Sequence, residues 1–396
     1  GGGSLTCRAV IGEMGIGKSA LVAALIAELP PNARLFKIET SPVWAEVPYS
    51  VTAELVRDAI GTTGDEPFDA VCDLIAKSGG GAANGDASNP MVARLAELAT
   101  NRLVVQAEEE DIHYRRKLIT TGVRNILAAI AIQQPVVLVF EGLQWADRPS
   151  LDLIIDLLKS SLPLPILMLL VTRPEERVLP VLEGVVRVEL RGLSADEQAR
   201  LVEARLDVRE GIRQVVAELM PKVGGNPFFL LEMVDALLER GALEIREVAT
   251  PSGETEHVVV RSDRADSGFQ AMPQTLEQLL GDRIRELPLE EHAVVDWLAI
   301  AGGPLALADL LRLMKTEDDE AVVRLCARGL CDRRGELIDF RSPLMRDVAY
   351  LALDPIHRID MHRDLGEHLA KTSLGRGLSA AIVARQGVPT PLEASA

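Results

Sequence analysis

The strongest chemical signal lies near the start of the chain. Gly12-Glu13-Met14-Gly15-Ile16-Gly17-Lys18-Ser19 fits the spacing G-x-x-x-x-G-K-[ST]. Glycines at these positions let a loop wrap so that its backbone N–H groups point inward at phosphate oxygens. A helix starting at Lys18 adds its positive N-terminal end. In such a loop Lys18 reaches the β- and γ-phosphates of a nucleotide, and the Ser19 hydroxyl binds Mg²⁺. Gly12, Gly15, Ile16, Gly17 and Ala20 complete the candidate binding set. Gly15-x-Gly17-x-x-Ala20 also matches a dinucleotide fingerprint, with Glu39 about twenty residues on. In that fingerprint, however, the first Gly follows its strand directly. Here Gly12–Met14 intervene, and Lys18-Ser19 would be accidental.

A second set of candidates sits at strand ends. The apolar run 136–140 ends in Glu141, and an acidic residue there can hold the Mg²⁺ shell beside Ser19. Open α/β sheets bind ligands at the carboxyl ends of their strands, which favours that role. Hydrolysis also needs a group that positions water. The next residue, Gly142, offers no side chain, and Gln144 and Asp147 are the nearby polar alternatives. The run 164–171 leads into Thr172-Arg173-Pro174. Arg173 is thereby the candidate cation for a γ-phosphate, where a desolvated guanidinium would stabilise charge in the transition state.

These residues need a scaffold of strands leading into loops. Apolar strands are expected at 6–11, 34–39, 136–140, 164–171 and 185–190. Amphipathic helices are expected at 18–29, 51–60, 115–132 and 150–159. The alternation argues for a parallel sheet with helices on both faces. Runs such as VVLVF are apolar at every position, as a strand covered on both faces must be. The Gly/Asn/Ser/Pro-rich stretch 77–90 reads as a flexible surface loop. After residue 192 the pattern turns helical. Ser194-Ala195-Asp196-Glu197 is a capping box, and Gly224–Phe229 opens a helix with Pro227 in its first turn. The stretch 249–272 is polar and reads as a linker around a short strand at 257–261. Residues 273–372 read as helices, a hairpin at 331–340 and a further helix, a winged-helix-like arrangement. The tail 373–396 is Gly-, Ala- and Pro-rich and reads as loosely ordered.

The 396 residues carry 42 Lys+Arg against 59 Asp+Glu, a formal net charge of −17. That balance disfavours non-specific binding to nucleic acid or anionic membrane. No apolar stretch approaches the length of a transmembrane helix, and no signal peptide is visible. The four cysteines form no CxxC pair and sit at no metal spacing, so reduced thiols in a cytoplasmic protein are expected. Residue 1 is Gly and a strand begins within a few residues, so the chain reads as part of a longer protein. Trp145 and Trp297 read as core aromatics. The acidic run 108–111 and the basic run Arg115-Arg116-Lys117 read as solvated faces. The histidines have no partner at zinc spacing.

Together the motifs resemble the STAND class of P-loop ATPases, signal-transduction ATPases with numerous domains. They are most similar to the AAA-type module of bacterial LuxR-type activators, adenylate cyclases and Ser/Thr kinases. GEMGIGKSALV resembles its phosphate loop, VVLVFEGLQWADRPSLDLI its Walker B strand and helix, VTRPEE its sensor strand, and GGNPFFLLEM its lid motif. MPQTLEQLLGDRIRELP and FRSPLMRDVAY resemble its winged-helix segment. The resemblance implies ATP as the nucleotide, and places Pro227 against the adenine. It also exposes departures. The second acidic position of the Walker B strand is Gly142, the usual His of the F-R-H-P-L segment is Ser342, and the chain reads as starting after a Gly-Arg-Glu segment that frames the adenine.

The expectation is therefore an α/β P-loop NTPase domain (1–192), an all-α lid (193–248), a linker and a winged-helix-like domain. Its function would be that of an ATP·Mg²⁺-binding regulatory switch in a larger signalling or transcription-regulating protein, with weak or absent hydrolysis. Its partners would be ATP and ADP, other domains of the same chain or partner proteins, with nucleotide-dependent oligomerisation as a further option. An active STAND-type ATPase using Glu141, Gln144 or Asp147 is one alternative. An origin-recognition-like ATPase binding DNA is another, disfavoured by the acidic charge. A degenerate nucleotide fold serving as a protein scaffold is a third.

Overall fold

In the computed structural model, the described residues are 5–369 except 46, 65, 80–88, 101–111, 160–163, 209, 250–254 and 264. The centre of the 77–90 loop, the acidic run 108–111 and the tail from 373 lie outside them. The first half runs β1 (Thr6–Ile11), α1 (Lys18–Ala27), β2 (Arg34–Glu39), α2 (Ser50–Ile60), α3 (Phe68–Lys77), α4 (Pro90–Ala99), α5 (Ile112–Gln133), β3 (Val136–Glu141), α6 (Arg148–Lys159), β4 (Ile166–Thr172) and β5 (Val186–Glu189). The middle adds α7 (Ala195–Leu206), α8 (Ile212–Val223), α9 (Pro227–Glu239), β6 (Leu243–Ala249), β7 (Thr255–Arg261), α10 (Ala265–Gln270) and α11 (Leu276–Arg285). The last part holds α12 (Leu289–Ala301), β8 (Leu305–Ala306), α13 (Leu307–Met314), α14 (Glu320–Ala327), β9 (Cys331–Arg334), β10 (Leu337–Phe340), α15 (Pro343–Ala352) and α16 (Pro355–Leu369).

These elements form two compact units. One lies within Gly1–Ile11, Ala24–Val188 and Leu289–Ala396, the other within Gly12–Ala23 and Glu189–Pro288. The first is built on a five-stranded sheet of order β2-β3-β4-β1-β5. The pairs β2–β3, β3–β4 and β4–β1 are parallel. Every residue of β3 is buried, which is why its sequence is apolar throughout rather than alternating. Phe36, Leu138, Phe140, Met168 and Leu170 form the middle of a core that also takes in α2, α4, α5 and α6. The α2 helix shows how sequence sets packing. Val51, Leu55, Val56 and Ile60 are buried, a spacing that gathers them on one helical face.

Asp147 ties the α2 and α6 starts together. Its Oδ1 accepts from Tyr49 N at 2.7 Å and from Ser150 N at 2.9 Å, and its Oδ2 accepts from Ser50 Oγ at 3.1 Å. Residue 49 has φ +61, so the Asp147 carboxylate supports a turn that the Tyr side chain itself disfavours.

In the C-terminal part of this unit, α12 packs with α13 to α16, and β8, β10 and β9 form a small sheet in that order. The β9–β10 hairpin follows the 331–340 expectation. Glu291 is fully buried on α12 and meets Arg324 at 2.8 Å and Arg328 at 3.1 Å on and just after α14. Removing a partner from such a buried charge typically costs about 3–5 kcal/mol.

The second unit contains the segment Gly12–Ala23, the helices α7 to α11 and one hairpin. The Ser194–Glu197 capping box forms in both directions. The short strand expected at 257–261 is longer and paired: β6 and β7 form an antiparallel hairpin from Leu243↔Arg261 to Ala249↔Thr255. Leu243 is buried while Ile245 and Val248 face solvent, so β6 shows no clean alternation of buried and exposed residues and its sequence reads as loop. The helices α3 and α4 were not among the expected elements, α10 lies where a linker was expected, and β6 begins inside the stretch 193–248 expected to be all-α.

Cys7, Cys72, Cys326 and Cys331 are thiols, not disulfides. Burial pushes the Cys7 and Cys331 thiols up to about 12, so neither is a reactive thiolate at neutral pH.

Candidate functional site

The phosphate loop begins where β1 ends and closes at the first residue of α1. Gly15 and Gly17 have φ of +75 and +103, values open to glycine and strained for other residues. At Gly15 space is also limiting. An added Cβ would lie 2.9 Å from Asn226 Oδ1 and 3.0 Å from Phe228 Cβ. Lys18 Nζ donates to Gly12 O at 2.8 Å and to Glu13 O at 2.7 Å. The ammonium is thus held on the loop's own carbonyls, in reach of whatever the loop encloses. Ser19 and Ala20 are exposed at the helix N-terminus, Ile16 and Gly17 are half-buried, and Gly12 is buried. An added Cβ at Gly17 would meet nothing within 4 Å, so the backbone angle and not space calls for glycine there. The residues present fit a nucleotide's phosphates by donor chemistry: backbone amides, one ammonium and one hydroxyl.

The segment Gly224–Phe229 grips this loop. Pro227 is the first residue of α9 and Asn226 is its N-cap, with Oδ1 accepting from Phe229 N at 3.0 Å. The other face of the same amide donates to Met14 O at 2.6 Å. Phe228 N donates to Gly15 O at 3.3 Å. Pro227 is therefore brought beside the phosphate loop by its neighbours. Asn226 was not among the expected site residues. Its signal was the Asn-Pro pair itself, a cap followed by an N1 proline.

The other candidates belong to the first unit, at the carboxyl ends of β3 and β4. Glu141 is the last residue of β3, only 8% exposed, with Lys37 Nζ 3.8 Å from Oε1. Gly142 follows with φ +73. An added Cβ there would sit 2.8 Å from both Thr40 O and Thr40 Oγ1. Thr40 closes on this point from β2's end. Its N donates to Glu141 O at 2.9 Å, and its hydroxyl donates to the carbonyls of Glu141 and Gly142. A glycine is the residue this backbone accepts.

Arg173 follows β4, one strand over from Glu141. Its side chain turns to the C-terminal part of the same unit, where Nη2 lies 4.0 Å from Asp347 Oδ2. Its guanidinium also stands 6.0 Å from the Trp145 ring centroid. Trp145 is half-buried and donates its Nε1 to Asp347 Oδ2 at 3.2 Å. This indole is a hydrogen-bonding bridge as well as a packing group. Burial raises the Asp347 carboxyl to about 6, against the opposing pull of Arg346, Arg173 and Trp145. Gln144 Oε1 accepts from Thr172 Oγ1 at 3.4 Å and from Arg173 N at 3.3 Å. Both oxygens of Asp147 are occupied, as described above. Ser342 caps α15, accepting from Leu344 N at 3.3 Å. Trp145 and Asp347 escaped sequence reasoning as partners because they lie about 200 positions apart, in two motifs that nothing in the sequence links.

Among the described residues, no group of three His, Cys, Asp or Glu could hold a metal ion, and no helix is long and apolar enough to cross a membrane.

Residues 1–171 match the family model described as the AAA ATPase domain. No curated protein matches the chain. Among solved structures, it resembles a signal transduction ATPase with numerous domains (STAND) protein with a tetratricopeptide repeat sensor from Pyrococcus horikoshii, at 15% identity and TM-score 0.49. That alignment covers 97% of this chain but 46% of the other, so the chain spans about half the length of that protein. It also resembles the Walker-type ATPase of Pyrococcus abyssi, at 14% identity and TM-score 0.35, over 87% of this chain and 90% of that one. A third is Cdc6p from Pyrobaculum aerophilum, at 12% identity and TM-score 0.33, over 88% of each.

Proposed function

Taking residues 1–171 as an AAA ATPase domain, we propose that the chain is an ATP·Mg²⁺-binding switch of the STAND type, acting within a larger signalling or transcription-regulating protein. The observation that carries this reading is the Arg173–Asp347 contact. A cation at the carboxyl edge of the sheet is held by a residue of the C-terminal helices rather than left for a phosphate. Nucleotide occupancy that competed for Arg173 would release Asp347 and change how α15 is held. The shift could be no larger than the nucleotide's differential affinity for the two arrangements.

In this reading Gly12, Gly15, Ile16, Gly17, Lys18, Ser19 and Ala20 take the phosphates, and Pro227 lies against the base. Ser19 and Glu141 hold Mg²⁺, which supplies charge neutralisation between the phosphates. The C-terminal helices with their β8–β10–β9 sheet serve as the winged-helix-like responder, and the helices after residue 192 as the lid. Weak hydrolysis follows from Gly142. The position that would carry a second acid has a left-handed backbone and Thr40 against it. Gln144 favours the active-ATPase alternative, since among the described residues its amide N–H groups make no hydrogen bond while its Oε1 accepts from Arg173 N.

The test is stoichiometric. The protein is mixed with equimolar ATP and Mg²⁺, the complex is isolated and denatured, and the released nucleotide is separated. Intact ATP after hours supports a binding switch. ADP would overturn the weak-hydrolysis reading and turn attention to Gln144. A complex that retains no nucleotide would overturn the binding reading.

A further inference from the structure

The β6–β7 hairpin of the second unit has one closed edge and one open edge. On the β7 side, Val259 N donates to Glu210 O at 3.0 Å, and Glu210 bridges to Val258. Gly211 runs so close to Val259 O that an added Cβ would strike it. Residues 210–211 thus close the outer edge of β7. The same bond fixes the direction of the backbone groups across the hairpin. Ile245 is paired opposite Val259. Opposed residues of an antiparallel pair exchange both of their hydrogen bonds or neither. Because the Val259 N–H turns away from β6, the N–H and C=O of Ile245 turn away from β7. Ser262 N donates to Ala242 O at 3.1 Å, which places the even-numbered residues of β6 in the ladder with β7. Ile245 and Glu247 therefore present their backbone groups along the outer edge of β6. Among the described residues, no backbone hydrogen bond reaches them there.

This edge lacks the usual protections. LEIREVA contains neither Pro nor Lys, residues that commonly blunt an edge strand. Residues 244–248 are all exposed. Ile245 shows what is missing. It shares a face with Leu243 and Val259, which are 1% and 4% exposed, yet it is itself 42% exposed. A strand paired to the outer edge of β6 would set a side chain directly beside it.

The charges select which strand that is. Glu244-Ile245-Arg246 places an apolar residue between charges of opposite sign. Arg246 Nη2 donates to Glu244 Oε2 at 2.8 Å, so both groups lie on one face. A second copy related by a two-fold axis normal to the hairpin keeps the same faces aligned. With the axis at Ile245, the two Ile245 side chains meet and their backbone groups exchange hydrogen bonds. On either side Glu244 then faces the partner's Arg246. With the axis at Glu244, Arg246 or Glu247, like charges would meet directly, which is destabilising. The strand is complementary to itself in one register.

We infer that the outer edge of β6 is a pairing surface for a second copy of this chain. The two hairpins join antiparallel about Ile245 into one continuous sheet. The interface is short, so the dimer is weak and depends on concentration. It uses no residue assigned to the nucleotide and holds whether or not that reading does.

The test is sedimentation velocity on the whole chain, without nucleotide and at low ionic strength, from about 1 to about 500 µM. The expected result is a monomer–dimer equilibrium with a Kd of about 10–100 µM. Ile245→Pro removes only an outward N–H, a place where an edge strand tolerates proline. It should weaken dimerisation at least about tenfold. A retained circular dichroism spectrum separates that loss from unfolding. Charge reversals test the register. Glu244→Arg and Arg246→Glu should each weaken self-association about tenfold by setting like charges opposite each other. Mixed in equal amounts, the two variants should associate as tightly as the unaltered chain, since each charge then meets its opposite. Three outcomes overturn the inference. The chain stays monomeric up to about 500 µM, Ile245→Pro dimerises like the unaltered chain, or the mixture associates no better than its components.

Discussion

The phosphate loop and the strand ends at Glu141–Gly142 and Arg173 make an instructive pair. In the loop, every chemical group points to one purpose. Backbone amides, Lys18 and Ser19 sit within eight consecutive residues, and Asn226 clamps the turn from α9. At the strand ends the groups are dispersed. Glu141 has Lys37 nearby, residue 142 has no side chain, and Arg173 is held by Asp347 and Trp145. A site that grips by backbone geometry needs only local sequence. A site that moves protons or responds to occupancy draws on residues that meet only in the folded chain.

The comparison breaks most directly at Lys18. Lys18→Ala should weaken ATP binding roughly 100-fold, on the order of the 3 kcal/mol that a charge-assisted phosphate contact contributes, measured by calorimetry. If affinity is unchanged, the loop is not the seat of binding. Gly142→Glu should fail to create an ATPase. It should instead destabilise the first unit by about 2–4 kcal/mol, through a side chain at positive φ pressed on Thr40. Chemical denaturation and single-turnover assays report the two effects separately.

A smaller, spectroscopic effect is expected at Asp347. In a background of Trp44→Phe and Trp297→Phe, Trp145 emission should change as pH falls through about 6, where Asp347 takes a proton and loosens its hold on Arg173. Asp347→Asn should abolish that titration. Because the folded carboxyl is raised above its usual 3.8, the native state binds the proton more tightly than the unfolded one does. Its ionisation therefore lowers stability as pH rises from about 4 to about 6. The smallest effect is expected at the start of α7. Ser194→Ala should cost about 1 kcal/mol by removing the α7 cap, with nucleotide affinity unchanged.

Much of the scaffold was legible because each signal is short-range. β1 and β2 follow their expected bounds, and the α7 capping box forms as its four residues imply. The β6–β7 hairpin was half-hidden. Apart from the buried Leu243, the strand LEIREVA leaves its apolar Ile245 and Val248 exposed, and pairing with β7 runs along its whole length. In the candidate site, Gly12 to Ser19 could be found by spacing alone, whereas the constraint on Gly142 comes from Thr40, about a hundred residues earlier. The Asp347 partnership is longer-range still.

The Thr40–Gly142 contact also bears on mutational history. A single change that adds an acid at position 142 meets Thr40 O, a main-chain atom that no substitution at position 40 removes. Shortening residue 40 relieves the hydroxyl but leaves the carbonyl and the left-handed backbone in place. Adding the acid here therefore calls for a shift of the β2–β3 strand ends as well as the change of residue. A single substitution at position 142 is thus no route to a second acid in this chain.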